Sequence, residues 1–360
     1  MEVASPSPER LRVRCCIAGG GPAGMMLGYL LARAGIEVLI LEKHADFLRD
    51  FRGDTVHPST LEVMHELGLL EEFLKRPHQQ VRKVRARIGG EEIVLGDNSF
   101  LRTQCRFFVM MPQWDFLDFL AEQGRRYPTF HLRMQAEVTG LIEENGEITG
   151  LRAKTPAGML EVGAELVAGA DGRESTVRGC SGLAVEDIGA PMDAMWMRLS
   201  KHVDDPEFSV LADRGKLLVI FDRGEYLQCG FPILKGSVQE LQLRGIEHFR
   251  AGIVEIAPCL GNRVMELRDW NDVKLLTVKV NRLRQWYRPG LICIGDAAHA
   301  MSPVAGIGIN LAIQDAVAAA NFLATPLRQG RVSADDLARV QRRRAFPTRL
   351  TQCLQELIRR

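Results

Sequence analysis

The sequence predicts an α/β fold in which a Rossmann-like domain is interrupted by a mixed-sheet domain and followed by a C-terminal helical segment. Two glycine-bearing turns at opposite ends of the 360-residue chain support the Rossmann-like part. The turn "IAGGGPAG" and the later stretch "GDAAHAMSPVAGIGIN" each lead from a buried strand into a helix. Between residues 186 and 280 the glycine fingerprints stop and short strand patterns take over, which predicts the inserted domain.

The bulk composition excludes several classes of protein. The chain is 46% hydrophobic and 25% charged, with a formal net charge of +1, so nothing favours nucleic acid as a partner. Its eight cysteines lack C-x-x-C spacing, and we expect neither a metal site nor a disulfide framework. No apolar run approaches the ~20 residues of a membrane span, and no signal peptide is evident. We expect a cytoplasmic monomer or homodimer that does not associate with membranes.

The first glycine turn belongs to a complete β-α-β unit. An apolar strand over residues 13–18 leads into Gly19-x-Gly21-x-x-Gly24, a helical stretch follows, and the strand "IEVLILE" ends at Glu42. The first glycine permits a tight turn, the second lets a pyrophosphate approach the backbone, and the third lets the helix pack on the sheet. The helix N-terminus faces the phosphate charge, and Glu42 can hold ribose hydroxyls. This unit predicts a dinucleotide site without distinguishing FAD from NAD.

The second turn favours FAD. Asp296 follows a buried strand beside Gly295 and can accept hydrogen bonds from sugar or ribityl hydroxyls. After Pro303, the long apolar helix presents unpaired N–H groups at residues 308–310, which would stabilise negative charge on a ligand. A single long ligand would explain both turns, with its adenosine and pyrophosphate on the first turn and a redox ring at the second. FAD fits this description, whereas NAD would need only the first turn.

Three motifs in a fixed order resemble those of the single-component flavoprotein aromatic hydroxylases, the FAD-dependent monooxygenases of the 4-hydroxybenzoate hydroxylase type. They are "GGGPAG" with "LEK", then "GADGRESTVR", then "RPGLICIGDAAHAMSP". The resemblance covers about residues 13–350, and three ordered motifs are far more specific than one. It implies a GR2-type FAD-binding domain, an inserted substrate domain, and FAD as the cofactor.

The resemblance also implies roles for individual residues. Glu42 would hold the adenosine ribose, and Val138 would lie near the adenine. Arg52 and Gln113 would approach the pyrophosphate and the ribityl chain. Pro303, in the segment that lines the flavin ring and the oxygen site, is the candidate catalytic residue. The implied cofactor-binding residues are Gly19, Gly21, Pro22, Ala23, Gly24, Glu42, Lys43, Arg52, Gln113, Val138, Asp171, Gly172, Gly295, Asp296, Gly306, Gly308, Ile309 and Asn310.

The reaction implied by the resemblance is a monooxygenation. NADPH or NADH would reduce the FAD, O2 would form a flavin C4a-hydroperoxide, and one oxygen atom would reach a small aromatic, phenol-like substrate. Three alternatives stay open: a halogenase, an isoprenoid-lipid reductase, and a flavin-binding protein without turnover. The stretch "RQWYRPG" does not match the W-x-W-x-I-P sequence of such halogenases, and the aromatic signature of the reductases is not found.

Four residues on predicted strands of the inserted domain are candidates for the floor of a substrate pocket: Trp196, Arg198, Phe221 and Gln228. Ordinary core packing is the alternative for each of them. His299 follows Asp296 by three residues, and we favour a hydrogen-bonding structural role for it over a catalytic one. Ala305 stands where relatives often carry glycine, which predicts a stiffer loop.

The expected domain organisation is discontinuous. Residues 10–80, 106–185 and 281–330 would form the FAD-binding domain, and residues 81–105 and 186–280 the substrate domain. Residues 331–360 would form a C-terminal helix interrupted by Pro347. Relatives continue beyond this point, so we expect either a natural short form or a truncated one.

Overall fold

The computed structural model describes residues 7–48, 55–205 and 208–358. Numbered along the chain, its strands are β1 (Glu9–Ala18), β2 (Val38–Leu41), β3 (Thr55–Val56), β4 (Gln79–Val81), β5 (Lys83–Ile88), β6 (Glu91–Asp97), β7 (Phe108–Met110), β8 (Phe130–Arg133), β9 (Glu137–Glu144), β10 (Glu147–Thr155), β11 (Gly158–Gly169), β12 (Val185–Asp187), β13 (Met192–Ser200), β14 (Phe208–Asp213), β15 (Lys216–Asp222), β16 (Tyr226–Leu234), β17 (Val273–Leu276), β18 (Asn281–Leu283), β19 (Tyr287–Arg288) and β20 (Leu291–Cys293). Its α-helices are α1 (Pro22–Arg33), α2 (Pro58–Glu66), α3 (Leu70–Phe73), α4 (Gln113–Gly124), α5 (Thr176–Cys180), α6 (Val238–Leu243), α7 (Ile246–Ile256), α8 (Gly308–Arg328) and α9 (Ala334–Ile358).

The chain divides into two compact units. The first consists of Met1–Gly53, Pro112–Ile188 and Lys279–Arg360, and the second of Asp54–Met111 and Gly189–Val278. This division places residues 54–80 and 106–111 in the second unit, whereas the predicted organisation groups them with the FAD-binding domain. The reason is that β3, β7 and β4 pair into a three-stranded sheet of their own, which ties these segments to each other within the second unit.

The first unit is built on a sheet whose central strands are parallel, as a Rossmann-like fold requires. The strand order is β19-β20-β11-β1-β2-β8, and β10 and β9 extend the sheet in antiparallel fashion from β11. Strand β1 pairs in parallel with β2 and β11, and β11 pairs in parallel with β20. The four residues of β2, "VLIL", are all buried, because a central parallel strand is covered on both faces.

Helix α8 passes through the interior of the first unit. Contrary to the sequence expectation, the segment Val304–Arg328 is long and apolar enough to cross a membrane by length and composition. Most of that apolar stretch is buried inside the protein, so its hydropathy is accounted for by core packing. Five of the twelve buried residues of α8 are alanines, and these small side chains allow close approach to neighbouring helices and loops.

The second unit contains a seven-stranded mixed sheet of order β17-β13-β16-β15-β14-β5-β6. One face of its central strands carries the apolar core, with Met197, Ile220 and Cys229 fully buried against residues of α7 such as Ile253. The alternation along each strand places the intervening residues on the opposite face. The sheet therefore has one face that packs into the apolar core and one face that lies outside this core.

Helix α9 continues through Pro347, which corrects the expected interruption. A proline within a helix removes one backbone hydrogen bond and costs about 3 kcal/mol. Buried polar side chains on both sides of Pro347, among them Arg344 and Gln352, form hydrogen bonds to other parts of the first unit. These contacts hold both halves of the helix in line.

Candidate functional site

The parallel strands of the first unit end side by side. Ala18 of β1 lies beside Leu41 of β2 and Gly169 of β11, and Gly169 lies beside Cys293 of β20. The loops that follow these strands contain the three predicted motifs and are therefore neighbours at one edge of the sheet. In open α/β sheets, ligands bind at this carboxyl edge.

The first glycine turn combines two crowded positions with one open position. A Cβ atom at Gly19, whose φ is +99°, would lie 2.5 Å from the carbonyl oxygen of Ala170, and one at Gly24 would lie 2.0 Å from that of Gly19. At Gly21, by contrast, no heavy atom of the described residues lies within 4 Å of such a Cβ. Pro22 begins α1, and no described side chain caps the helix start. The turn thus leaves the backbone accessible at Gly21, in front of a helix N-terminus.

Glu42 is held beside this turn at the end of β2. Its carboxylate accepts hydrogen bonds from the N–H groups of Gly20 at 2.9 Å and His44 at 3.1 Å, and the residue is 9% exposed. These two bonds fix the orientation of the carboxylate before any ligand binds. Lys43 is exposed directly after it.

Asp171 organises its own loop. Its carboxylate accepts hydrogen bonds from the Ser175 hydroxyl at 2.5 Å and the Val177 N–H at 3.1 Å, at the start of α5. Burial raises the pKa of Asp171 above its usual value, although the hydrogen bonds from Ser175 and Val177 oppose that shift. Gly172 follows with a φ of +85°. The side chain of Asp171 stabilises the loop, and a direct cofactor contact stays a prediction.

Arg178, which the sequence analysis did not single out, connects the second and third motifs. Its guanidinium donates to the carbonyl oxygens of Asp296 at 3.3 Å and Ala297 at 3.2 Å, and also to that of Arg173. Its position at the end of the motif "GADGRESTVR" is the sequence feature that could have identified it. Because these acceptors are backbone atoms, the guanidinium fixes the course of the loop that carries Asp296.

Gly295 lies where the two glycine turns meet. Its φ is +58°, and a Cβ there would approach the Cβ atoms of Ala23 in α1 at 3.0 Å and Ala312 in α8 at 3.4 Å. The next side chain, Asp296, is 33% exposed, with the guanidinium of Arg173 at 3.9 Å. The Asp296 carboxylate therefore stands at the carboxyl edge with part of its surface open to a ligand.

A buried ionic network contacts the loop that carries Asp296. Asp315 of α8 is fully buried, and its carboxylate accepts from the Gly295 N–H at 3.0 Å and from Nε of Arg344 in α9 at 2.7 Å. Nε2 of His299 lies 2.6 Å from the same carboxylate, and the His299 ring packs against Trp286. Although burial opposes ionisation, His299 and Arg344 hold the pKa of Asp315 below its usual value. This geometry supports a structural role for His299.

The start of α8 also lies at this carboxyl edge of the first unit, and there is open space around its first residue. Gly308 is the first residue of α8, no described side chain caps the helix, and a Cβ at Gly308 would meet no described heavy atom within 4 Å. Pro303 is exposed in the preceding loop. The buried side chain of Asn310 donates to the carbonyl oxygen of Gly306 at 3.1 Å, which closes the turn onto the helix, and Ile309 is buried.

The remaining predicted cofactor residues lie at different depths. Gln113 is the first residue of α4 and is half-buried. Val138 is buried in the apolar core of the first unit, next to the strand end that carries Glu42, since the N–H of Ala136 donates to the Glu42 carbonyl at 2.8 Å. Arg52 lies outside the described residues.

The four candidate substrate residues lie on one face of the seven-stranded sheet in the second unit. Gln228 of β16 is paired in register with Arg198 of β13 and with Phe221 of β15. The rings of Trp196 and Phe221 are 5.9 Å apart. All four residues lie opposite the apolar core face, because their neighbours along each strand belong to that core.

Two further residues on or beside this face were missed from sequence. The guanidinium of Arg223 lies 5.3 Å from the ring centre of Phe221 and donates to Oε1 of Gln228 at 3.2 Å. Gly230 leaves room for the Trp196 ring, because a Cβ at Gly230 would approach that ring at 3.0 Å. The face thus combines aromatic rings with cationic and amide groups, a mixture suited to an aromatic ligand with polar substituents.

Comparison with known proteins shows first the fold and then the family of this chain. The solved structure of PqsL, a probable FAD-dependent monooxygenase from Pseudomonas aeruginosa, has the same fold, with a TM-score of 0.80, 23% identity, and 95% of this chain and 94% of that chain covered. The family described as "FAD binding domain" matches residues 12–353. The 6-methylpretetramide 4-monooxygenase of Streptomyces rimosus is 33% identical over 341 residues, which are 94% of this chain and 82% of that protein. The para-nitrophenol 4-monooxygenase of Pseudomonas sp. (strain WBC-3) is 25% identical, over 92% of this chain and 82% of its own.

The chain belongs to this FAD-binding-domain family. The resemblance to the flavoprotein aromatic hydroxylases, the α/β fold and FAD as the cofactor are thereby confirmed. The halogenase, reductase and non-turnover alternatives are not favoured by these relatives. The described residues also fit FAD on their own geometry, because the backbone is open at Gly21 and Gly308 and a fixed carboxylate stands at Glu42.

Proposed function

We propose that this FAD-dependent enzyme hydroxylates a phenol-like aromatic small molecule, with a nicotinamide as reductant and O2 as the oxygen source. The observation that carries the proposal is the arrangement of the first unit, in which three motif loops meet at one sheet edge beside the open start of α8. The names of the relatives, which include a para-nitrophenol 4-monooxygenase, support an aromatic substrate.

The first turn would hold the adenosine and pyrophosphate end of FAD. The uncapped N–H groups of α1 would stabilise the pyrophosphate charge, and Gly21 would allow its close approach. Glu42, already oriented by Gly20 and His44, would accept hydrogen bonds from the ribose hydroxyls. Asp296, with its partly exposed carboxylate, would do the same for the ribityl chain.

The start of α8 would face the flavin ring. When bound, FAD supplies the redox chemistry and the activation of oxygen. The chain would contribute orientation through Pro303 and Gly308, and the positive end of the α8 dipole would stabilise negative charge on the reduced ring by up to about 2 kcal/mol when partly buried. No protein nucleophile is required in this scheme.

The aromatic face of the second unit would recognise the substrate. Trp196 and Phe221 offer ring surfaces for stacking, and Arg198 and Gln228 offer donors that would orient a phenolic oxygen.

The cytoplasm is the compartment that best suits this chemistry. All eight cysteines are free thiols, as expected in a reducing environment. A nicotinamide-dependent reaction is also suited to that compartment. A monomer or a homodimer would be sufficient, since the proposed cofactor contacts come from one chain.

The test is oxidation of NADH or NADPH by the FAD-loaded protein in the presence of a panel of phenols under 18O2. A substrate should accelerate nicotinamide oxidation and be converted into a product that contains one 18O atom. Oxidation without any labelled product, for every phenol tested, would refute the proposed hydroxylation.

A further inference from the structure

Helix α9 has an unusual distribution of polarity. Its buried face is polar, with Arg344, Thr348, Gln352 and Gln355 each less than 9% exposed. Its outward face carries apolar side chains, including Phe346 at 73% and Leu357 at 64% exposed. Burying a polar group costs free energy unless a hydrogen bond compensates for the lost water contacts. The hydrogen-bond partners therefore indicate the role of this face.

The two glutamines donate to backbone carbonyl oxygens in or beside the loop that follows Asp296, whereas Arg344 donates to the Asp315 carboxylate. Nε2 of Gln352 donates to the carbonyl oxygens of Asn281 at 3.1 Å and Ala300 at 3.2 Å. Nε2 of Gln355 donates to the carbonyl oxygens of Ser302 at 3.0 Å and Val304 at 2.8 Å. The two carbonyls held by Gln355 are those on either side of Pro303.

The loop itself is in a conformation that needs external support. Ala305 has a φ of +63° and Gly306 one of +58°, and a residue other than glycine is disfavoured in this left-handed region. Proline cannot donate a backbone hydrogen bond, so Pro303 contributes nothing to holding the turn from its own nitrogen. Gln355 fixes the chain immediately before this strained turn, and the turn leads directly into Gly308 at the start of α8.

We propose that Gln355 is a positioning residue that holds residues 303–308 in the conformation that receives the flavin ring. The proposal rests on the proposed function only for the identity of the ligand at this loop. Glutamine suits the task because its neutral NH2 group has two hydrogens for two carbonyl oxygens. An ionised glutamate of the same shape would place its lone pairs against both oxygens.

The same helix supplies a matched control. Gln341 also bridges two backbone groups, accepting from the Trp286 N–H at 3.0 Å and donating to the Arg284 carbonyl at 2.9 Å. Those groups lie between β18 and β19, outside the loop of residues 300–306. Loss of Gln341 should therefore affect the packing of α9 without moving the residues around Pro303.

The experiment compares Gln355→Met with Gln341→Met by amide hydrogen exchange of the protein without FAD. Gln355→Met should accelerate exchange in peptides covering 300–310 about tenfold, and Gln341→Met should accelerate it only near 284–286. Equal exchange at 300–310 in the two variants would overturn the proposal without bearing on the proposed function. If Gln355→Met does not fold, Gln355→Asn, whose shorter side chain cannot span both carbonyls, takes its place with the same expectation.

A second readout uses the FAD-loaded proteins. In Gln355→Met the reduced flavin should bind about tenfold more weakly relative to the oxidised flavin, which lowers the two-electron midpoint potential by about 30 mV. Gln341→Met should leave this potential unchanged. A lower melting temperature with an unchanged potential in Gln355→Met would assign Gln355 a purely structural role. Failure of the wild-type protein to hydroxylate any phenol would instead count against the proposed function.

Discussion

The two glycine-bearing turns are each held in a defined conformation, but by different kinds of contact. The turn at residues 19–24 is fixed mainly by close backbone packing, in which Gly24 packs on the Gly19 carbonyl and Gly19 on the Ala170 carbonyl, together with a backbone hydrogen bond to Glu42. The loop at residues 295–308 is fixed by buried polar side chains of α8 and α9, with Asp315 on the Gly295 N–H and Gln355 on two carbonyls. The first turn depends on the absence of side chains, and the second depends on the presence of buried polar ones.

This difference predicts different responses to substitution. Changes at the first turn should act through sterics and remain local. Changes behind the second loop should leave buried charges or donors without partners, which is more costly than losing one contact.

The largest effect is expected for Asp315→Asn. The substitution removes the buried carboxylate and leaves the guanidinium of Arg344 without its ionic partner. Breaking a buried ion pair in this way costs about 3–5 kcal/mol. Urea unfolding followed by circular dichroism should show the loss. A change below about 1 kcal/mol would mean that the network is not needed for the fold.

The same variant should alter the dependence of stability on pH. The folded pKa of Asp315 is held below the ordinary value of 3.8, so its ionisation contributes stability above that pH and loses it as the pH falls through the folded pKa. Asp315→Asn should therefore have a shallower loss of stability below about pH 4 than the wild-type chain.

A smaller and more local effect is expected for Gly24→Ala, compared with Gly21→Ala. The Cβ that Gly24→Ala introduces would clash with the Gly19 carbonyl, and overpacking of this kind costs about 1–3 kcal/mol. The Cβ that Gly21→Ala introduces meets only open space among the described residues, so this variant should keep wild-type stability while weakening FAD binding. Calorimetric melting and fluorescence titration with FAD would separate the two. Equal melting temperatures would contradict the steric account of Gly24.

Removal of the Glu42 carboxylate should act mainly on the ligand. Glu42→Ala should weaken FAD binding by about 1–3 kcal/mol, because the ribose hydroxyls lose a charged acceptor. Glu42→Gln keeps the shape and one acceptor oxygen and should recover part of that loss. Equilibrium dialysis with FAD measures both variants. Affinity equal to that of the wild-type protein in Glu42→Ala would remove Glu42 from the site.

The sequence was sufficient to predict the features that depend on short-range spacing along the chain. Gly19, Gly24 and Glu42 belong to one short unit in which spacing defines geometry, and the strand placement of Trp196 and Phe221 followed from alternation. Asp315, Arg344 and Gln355 come from α8 and α9, and only the folded chain brings Asp315 to Gly295, Arg344 to Asp315, and Gln355 to the carbonyls of Ser302 and Val304. An acid inside an apolar helix and glutamines on a helix face were visible signals, but nothing in the sequence shows that the partners are His299 and Arg344 for Asp315 and backbone carbonyls for Gln355. The pairing of β3 with β7 likewise joins strands about 50 residues apart, and it groups residues 54–80 differently from the predicted domain organisation.

The central claim is that the two turns hold opposite ends of one FAD, and Gly308→Val tests it most directly. A Cβ built at Gly308 meets no described heavy atom within 4 Å apart from its chain neighbours, so Gly308→Val should retain the fold. The measurement is the dissociation constant of FAD and, as a control, of ADP, which matches only the end held by the first turn. We predict that Gly308→Val binds FAD at least tenfold more weakly than the wild-type protein and binds ADP equally well. Unchanged FAD affinity, or an equal loss of affinity for FAD and ADP, would contradict the account.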